Sequence, residues 1–279
     1  QELVRGKEFG SIEELNDYLR TVLMESAGVL PEPSFPSRTP LQRAQELIYQ
    51  AFESGDREDR IRLAREALVI SEDCADAYVL LAELDADTRE EVRSLYERGV
   101  AAGERNLDDE LFDEQAGHFW GILETRPYMR ARRGLAEVCL MEGEVEEAIG
   151  HLGEMMRLGA RDAQGNRYLL ADALLAAGRE KEVLELLEEY EDDYSANFTY
   201  NRALVLYRLH GEGGEADLAL EEALELNPHV PEFLLERREV PDRRPTYHGV
   251  GDENEAILYA VRGVENWQRT PGATDWLAR

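Results

Sequence analysis

Residues 141–149 read MEGEVEEAI, and two later stretches repeat their pattern of a glycine followed, five positions on, by an apolar residue. These stretches are 176–184, AAGREKEVL, and 209–217, LHGEGGEAD. The aligned glycines lie 35 and 33 residues apart, at Gly143, Gly178 and Gly211. Glycine commonly follows the last turn of a helix, so each stretch indicates a turn between two helices. The spacing predicts three consecutive helix–turn–helix units of about 34 residues.

The residues around these turns fit pairs of short helices that cross closely. Such a pair needs a small residue at the crossing, a small or medium apolar residue early in the second helix, and a large apolar residue four positions later. The sequence supplies them at Ala136, Ala171 and Ala203, at Ala148, Val183 and Ala216, and at Leu152, Leu187 and Leu220. These units resemble tetratricopeptide repeats, whose period is about 34 residues.

The rest of the chain extends this array in both directions. Two degenerate repeats are predicted over residues 39–103 and three regular repeats over 129–230, with an insertion at 104–128 between them. Capping helices are expected at 231–279, because terminal units must shield an open apolar face. An N-terminal helix and a proline-rich linker are expected over residues 1–38. We therefore predict an all-α, tetratricopeptide-type helical-hairpin solenoid, or superhelix, of about five repeats with a C-terminal helical cap.

The charge of the chain argues against nucleic acids and anionic membranes as partners. The chain has 60 acidic and 31 basic residues, so its net charge is −29. This charge repels phosphate backbones and anionic lipid surfaces. No apolar run reaches the roughly 20 residues that span a bilayer. The two cysteines form no CxxC pair, and no histidine cluster has metal-ligand spacing. We expect a cytoplasmic protein without a cofactor or metal, whose partner is another protein or a peptide segment.

A narrower resemblance lies in the second half of the chain. It is carried by residues 227–231, NPHVP, by Gly251-Asp252 with Glu255, and by residues 117–132, GHFWGILETRPYMRAR. These residues resemble the suppressor-of-tumorigenicity-seven family and its uncharacterised prokaryotic members, over roughly residues 117–277. The resemblance implies no enzymatic activity. Animal members of that family are taken to be membrane-associated, a location that does not transfer to a sequence without apolar spans.

A run of arginines supplies the candidate binding site. In the repeat register, Arg130 and Arg133 take positions 2 and 5 of a first helix, which line the concave groove of such arrays. The candidate peptide-binding residues are Arg126, Arg130, Arg133, Tyr168, Asn201 and Arg202. Guanidinium groups match carboxylates, and asparagine can bond a peptide backbone. The hypothesis is a non-catalytic protein–protein interaction scaffold that holds a peptide or protein segment, with an acidic segment as the candidate ligand. The alternative, that these arginines form structural ion pairs, stays open.

Two other functions remain as alternatives. His118 and Glu124 have a spacing compatible with acid–base chemistry, but no nucleophile or second base accompanies them, so no catalytic residue is assigned. An aromatic plug around Trp120 explains the same segment more simply. RNA or nucleotide binding through the arginines is the other alternative, against which the overall charge argues. Cys139 is expected to be a small apolar filler.

Overall fold

The computed structural model of the chain describes Tyr18 and residues 38–279. The chain divides into two compact units, Gln1–Thr39 and Pro40–Arg279, and the helical array lies in the second. The N-terminal helix and proline-rich linker expected at residues 1–38 lie outside the described residues, except at Tyr18 and Arg38. That part of the prediction stays a prediction.

Five helical hairpins follow one another from Pro40 onward. Their first helices are α1 (Pro40–Glu53), α3 (Ala75–Leu84), α6 (Arg126–Glu142), α8 (Asn166–Ala176) and α10 (Ala196–His210). Their second helices are α2 (Arg57–Ile70), α4 (Arg89–Asn106), α7 (Val145–Leu158), α9 (Glu180–Glu189) and α11 (Gly214–Leu226). Between Pro40 and Arg279 the chain forms helices, turns and loops, and no strand.

The hairpins stack in sequence order. Each first helix packs against the second helix of its own hairpin, and each second helix packs against the first helix of the next hairpin. First helices also contact one another directly, α1 with α3, α3 with α6, and α8 with α10. Stacked antiparallel hairpins of this kind are the tetratricopeptide arrangement, so the predicted fold class is confirmed.

The turn glycines have the backbone conformation for which glycine is needed. Gly143, Gly178 and Gly211 have φ angles of 82°, 70° and 79°, a region that strains residues with a Cβ atom. After α6, the Gly143 amide donates to the Leu140 carbonyl (3.2 Å) and the Glu144 amide donates to the Cys139 carbonyl (2.8 Å). These bonds satisfy carbonyls that the helix end leaves unpaired, and they turn the chain back into α7.

The apolar positions inferred from the repeat lie in the core. The three crossing alanines, Ala136, Ala171 and Ala203, are fully buried. All nine repeat-defining side chains are at most 7% exposed. They are Ala136, Ala171, Ala203, Ala148, Val183, Ala216, Leu152, Leu187 and Leu220. Removal of this apolar surface from water is the main stabilising contribution to such an array.

The segment between α4 and α6 is short and ordered around aromatic side chains. It contains α5 (Asp109–Glu114) and two 3-10 turns, Phe119–Gly121 and Leu123–Thr125. The buried Phe119 ring lies 5.1 Å from Phe112 and 6.4 Å from Tyr128 of α6, measured between ring centroids. The segment is therefore fastened to the array by an aromatic cluster.

Three more helices follow the last hairpin: α12 (Val230–Leu234), α13 (Glu253–Arg269) and α14 (Ala273–Leu277). The long helix α13 packs against α12 and α14, and also against α10 and α8. It therefore lies against the first helices of two different hairpins. Within the described residues, no helix combines the length and the apolar character that a bilayer crossing requires.

Candidate binding face

The first helices of the five hairpins together form one side of the array, which we call the first-helix face. Helices α1, α3, α6, α8 and α10 contribute to it. Helix α13 lies over α8 and α10, and this area is the covered part of the face. The area on α1, α3 and α6 is the open part, where Tyr49 and Phe52 of α1 are 47% and 43% exposed.

A chain of buried hydrogen bonds joins α13 to the covered part. The Asn201 amide of α10 donates to Asp172 Oδ1 of α8 (2.9 Å), and its own Oδ1 accepts from the Tyr259 hydroxyl of α13 (2.9 Å). Trp267 Nε1 then donates to the Tyr259 oxygen (2.8 Å). All four side chains are buried, so each bond is made away from competing water.

Further polar contacts fix both ends of α13. Near its C-terminus, the Arg208 guanidinium of α10 donates to the Asn266 carbonyl (3.0 Å) and to Thr270 Oγ1 (2.8 Å). Near its N-terminus, Glu255 accepts from the Ala196 amide (3.0 Å) and from the Asn227 side chain (2.8 Å). Helix α13 is therefore held in one orientation by directional bonds as well as by apolar packing.

Asp172 is the most perturbed acid of this contact. Desolvation by burial raises the pKa of its carboxyl to about 6, against which the hydrogen bonds from Asn201 and Asn197 act. Its second oxygen, Oδ2, is buried and has no hydrogen-bond partner among the described residues. The charged form of Asp172 is thus unfavourable in the folded chain.

The open part carries an ion pair that links three first helices. Arg130 of α6 donates from Nε (2.7 Å) and Nη2 (2.6 Å) to the two carboxylate oxygens of Asp76 on α3. Asp76 is fully buried and also accepts from Gln45 of α1 (2.8 Å). The Arg130 guanidinium lies 5.7 Å from the centre of the Phe52 ring. Two hydrogen bonds to one carboxylate fix the plane of the guanidinium.

A second arginine lies beside this pair. Arg133 donates from Nε to Glu137 (3.1 Å) and from Nη1 to Asn166 Oδ1 (3.1 Å) and the Gln164 carbonyl. It therefore ties α6 to the start of α8. Glu83 of α3 lies in the same electrostatic environment, and burial raises its pKa despite the nearby Arg60.

The structure does not bring the six predicted binding residues onto one surface. Arg130 and Arg133 lie on the open part, whereas Asn201 is fully buried beneath α13. Arg126 donates to the Trp120 carbonyl (2.9 Å) in the segment before α6. Arg202 lines a separate small cavity with Glu222. The predicted role of the six in binding a peptide stays a prediction. Arg130 and Arg133 form ion pairs with Asp76 and Glu137, respectively.

Tyr168 lies at a different place, in a cavity beside the covered part. The cavity has a volume of about 780 Å³, and α13 forms one wall through Leu258 and Arg262. The Tyr168 hydroxyl donates to Asp193 (2.9 Å), and the Arg167 guanidinium lies 4.2 Å from the centre of the Tyr168 ring. Arg167 therefore already occupies the aromatic surface that a cationic ligand would use.

The residues considered for acid–base chemistry are exposed side chains on the segment before α6. The His118 ring contacts the Ala116 carbonyl (3.3 Å), and Glu124 lies in the second 3-10 turn. Both side chains are exposed. Within the described residues, neither side chain forms a hydrogen bond with a nucleophilic side chain.

The family model described as "ST7 protein" matches residues 37–278. The chain belongs to the ST7 protein family. The match covers all five hairpins and the C-terminal helices of this ST7 family chain, so the resemblance extends much further toward the N-terminus than residue 117, where the sequence motifs first indicated it.

Curated ST7 relatives from animals match at modest identity. The Caenorhabditis elegans "Protein ST7 homolog" is 28% identical over 273 residues, covering 84% of this chain and 50% of the relative. The human "Suppressor of tumorigenicity 7 protein-like" is 27% identical over 264 residues, covering 85% of this chain and 45% of the relative. The ST7 family chain thus spans about half the length of the curated relatives it matches.

A solved structure is also similar to this ST7 family chain. It is that of YrrB, a TPR protein with an unusual peptide-binding site, with 17% sequence identity and a TM-score of 0.48. The similarity covers 74% of this chain and 90% of that one.

Proposed function

We propose that this chain is a non-catalytic interaction scaffold that holds a segment of another protein on the open part of its first-helix face. The observation that carries the proposal is the position of α13. The covered part of the same face already binds a helix of this chain through directional hydrogen bonds and apolar contacts. A face that holds one helix in its second half has the physical means to hold a partner segment in its first half.

The open part offers two kinds of contact to such a segment. Tyr49 and Phe52 expose aromatic surface, which gives a large apolar contribution per residue at protein interfaces. Arg130 Nη1 and Arg133 Nη2 donate no hydrogen bond to any partner in the part of the chain that the structure describes. These two nitrogens can donate to a carboxylate or to backbone carbonyls of a bound segment. An acidic segment with an apolar side chain is therefore the proposed ligand.

The experiment selects peptides from a displayed random library against the full chain and then measures their affinity for variants. Tyr49→Ala with Phe52→Ala removes the aromatic surface from α1 and leaves the buried ion pair below it intact. The matched control is Val69→Ala with Leu218→Ala, which removes two exposed apolar side chains (87% and 66% exposed) from second helices.

The proposal predicts that the α1 variant weakens peptide binding at least tenfold, whereas the control variant binds like the unchanged chain. Selected peptides should contain acidic residues, because two guanidinium nitrogens face them. A library that yields no binder would contradict the proposal. So would binders that lose affinity in the control variant and keep it in the α1 variant.

A further inference from the structure

Three side chains with metal-ligand chemistry meet where α6 and α7 pack together. Cys139 lies near the end of α6, and Glu147 and His151 lie on α7. One ligand atom from each, sulfur, oxygen and nitrogen, lies within 4.8 Å of the other two. Residues four apart share one face of a helix, and the turn at Gly143 folds that face of α7 onto Cys139.

His151 is the observation that points to a missing ligand. Both of its ring nitrogens are buried, and neither has a hydrogen-bond partner among the described residues. The nearest carboxylate oxygen, Glu147 Oε1, is 3.8 Å from Nε2, which is too long for a hydrogen bond. Burial and the nearby Arg132 lower the pKa of His151, which favours the neutral imidazole that metals bind. A half-buried imidazole whose two nitrogens are both shielded from water and unpaired needs an explanation.

The charges around the cluster favour a cation. Arg93 of α4 donates to three carboxylates, Glu142 (2.6 Å), Glu147 (2.8 Å) and Glu97 (2.9 Å). Three carboxylates around the Arg93 guanidinium leave a charge of −2, and the Arg132 guanidinium brings the local charge to −1 before the thiol ionises. Arg132 is the other guanidinium that acts on His151, and it donates to the Tyr128 hydroxyl.

We propose that Cys139, Glu147 and His151 form a binding site for a divalent metal of the zinc class. Sulfur, imidazole nitrogen and carboxylate oxygen are the ligand types that zinc takes in proteins, at about 2.0–2.3 Å, and a water molecule fills the fourth tetrahedral position. Ligand atoms in such a site lie about 3.3–3.8 Å apart, so atoms of the cluster that are separated by as much as 4.8 Å approach by about 1 Å on binding.

Binding also requires a proton to leave. Burial raises the pKa of the Cys139 thiol to about 11, so the metal-free site holds the protonated thiol. The incoming ion forms a bond to sulfur, and the thiol proton is released to solvent, so one proton leaves for each metal bound. Glu147 turns one oxygen toward the metal and keeps the other on Arg93.

The test is a titration of the full, reduced chain with cobalt(II), followed by absorbance. A thiolate-to-cobalt charge-transfer band reports a metal bound to sulfur, and carboxylates on the surface of this acidic chain do not produce it. The matched control is Cys74→Ser, which removes the other buried cysteine, a residue outside the cluster. The site variants are Cys139→Ser and His151→Gln.

The proposal predicts a band that saturates at one cobalt per chain in the unchanged protein and in Cys74→Ser. Cys139→Ser should lose the band, and His151→Gln should bind at least tenfold more weakly. Absence of the band from the unchanged chain overturns the proposal, and so does a band that survives in Cys139→Ser or disappears in Cys74→Ser.

A thermal measurement covers the case in which Cys139→Ser fails to fold. Metal that binds only the folded chain raises the midpoint of its thermal unfolding. Zinc should raise the midpoint for the unchanged protein and for Cys74→Ser, and should raise it much less for His151→Gln. An equal rise in all three proteins would overturn the assignment.

Discussion

Asp172 is the buried acid at the contact between α8 and α13. Its Oδ1 accepts from Asn197 (2.8 Å) and Asn201 (2.9 Å), while Oδ2 has no partner in the described chain. Amide donors stabilise an ionised carboxylate only in part, and desolvation raises its pKa to about 6. Ionisation of this one group therefore opposes folding at neutral pH.

We expect Asp172→Asn to raise the free energy of unfolding at pH 7.5 by about 2–3 kcal/mol. This value follows from the pKa of Asp172, which burial raises from 3.8 to about 6. Between pH 3.8 and about pH 6, the folded chain holds a proton on Asp172 that the unfolded chain has released. The stability of the unchanged protein therefore falls as the pH rises through this range. The asparagine variant lacks this fall. Urea unfolding of both proteins at pH 4 and pH 7.5 measures the difference.

The advantage of Asp172→Asn should vanish near pH 4, where the carboxyl is protonated in the folded chain and half protonated in the unfolded one. A variant that is less stable than the unchanged protein at pH 7.5 would contradict this account. It would mean that Arg262 compensates the buried charge.

Breaking the ion pair between Arg130 and Asp76 should lower the free energy of unfolding, whereas Asp172→Asn should raise it. Arg130→Ala leaves the fully buried Asp76 carboxylate with Gln45 as its one remaining partner among the described residues, and we expect it to cost about 3 kcal/mol of stability. Adding Asp76→Asn should restore part of that loss, since the unpaired charge is then gone. Urea unfolding of the single and double variants checks this. A loss below about 1 kcal/mol would show that the pair behaves like an exposed one.

At the scale of single residues, the repeat register predicted which apolar side chains are buried, but it did not predict the hydrogen-bond partners of the polar ones. Arg133, Tyr168 and Asn201 are among the candidate peptide-binding residues predicted from the sequence. In the structure Arg133 bonds Glu137, Tyr168 bonds Asp193, and Asn201 bonds Tyr259. The bond partner of Asn201 is 58 residues away in sequence, and a repeat pattern contains no information on such a pairing.

Gly134 shows how closely the elements approach one another. A Cβ atom added at Gly134 in α6 would lie 2.0 Å from Cε1 of Tyr96 in α4, and Tyr96 is itself buried. The two helices can therefore pack at this distance only because residue 134 has no side chain. Gly150 in α7 offers a comparison, since a Cβ atom there meets nothing within 4 Å.

We expect Gly134→Ala to destabilise the chain by about 1–2 kcal/mol, because the steric cost exceeds the helix propensity that alanine gains. Gly150→Ala should instead stabilise it by about 0.5–1 kcal/mol, since only the propensity changes. Thermal unfolding of the two variants measures both shifts. Two shifts of the same sign would contradict the packing described for α4 and α6.

The hairpins were predictable because their signals are local. Each unit of about 34 residues contains its own turn glycine and its own small residue at the helix crossing. It also contains the small or medium apolar residue of the second helix and the large apolar residue four positions after it. The position of α13 was not predictable in this way. Its contact with α8 joins the Asn266 amide to the Asp172 carbonyl (3.2 Å), 94 residues apart. The proposed metal cluster has no local sequence signal either, since Cys139, Glu147 and His151 match no motif of fixed spacing.

At the scale of the whole molecule, the covered and open parts of the first-helix face differ in what fills them. Helix α13 buries Tyr259 and Trp267 against α8 and α10, whereas Tyr49 and Phe52 on α1 remain exposed. The family match spans both parts. The curated relatives are about twice as long as the region that this chain matches.

Hydrogen–deuterium exchange of the full chain, with and without a library-selected peptide, shows whether the open part of the first-helix face holds the partner segment. Bound peptide should slow amide exchange in α1, α3 and α6, because it suppresses local opening of the helices it contacts. The second helices α2, α4 and α7 serve as the internal comparison. Slowing in those second helices alone, with α1, α3 and α6 unchanged, would contradict the claim.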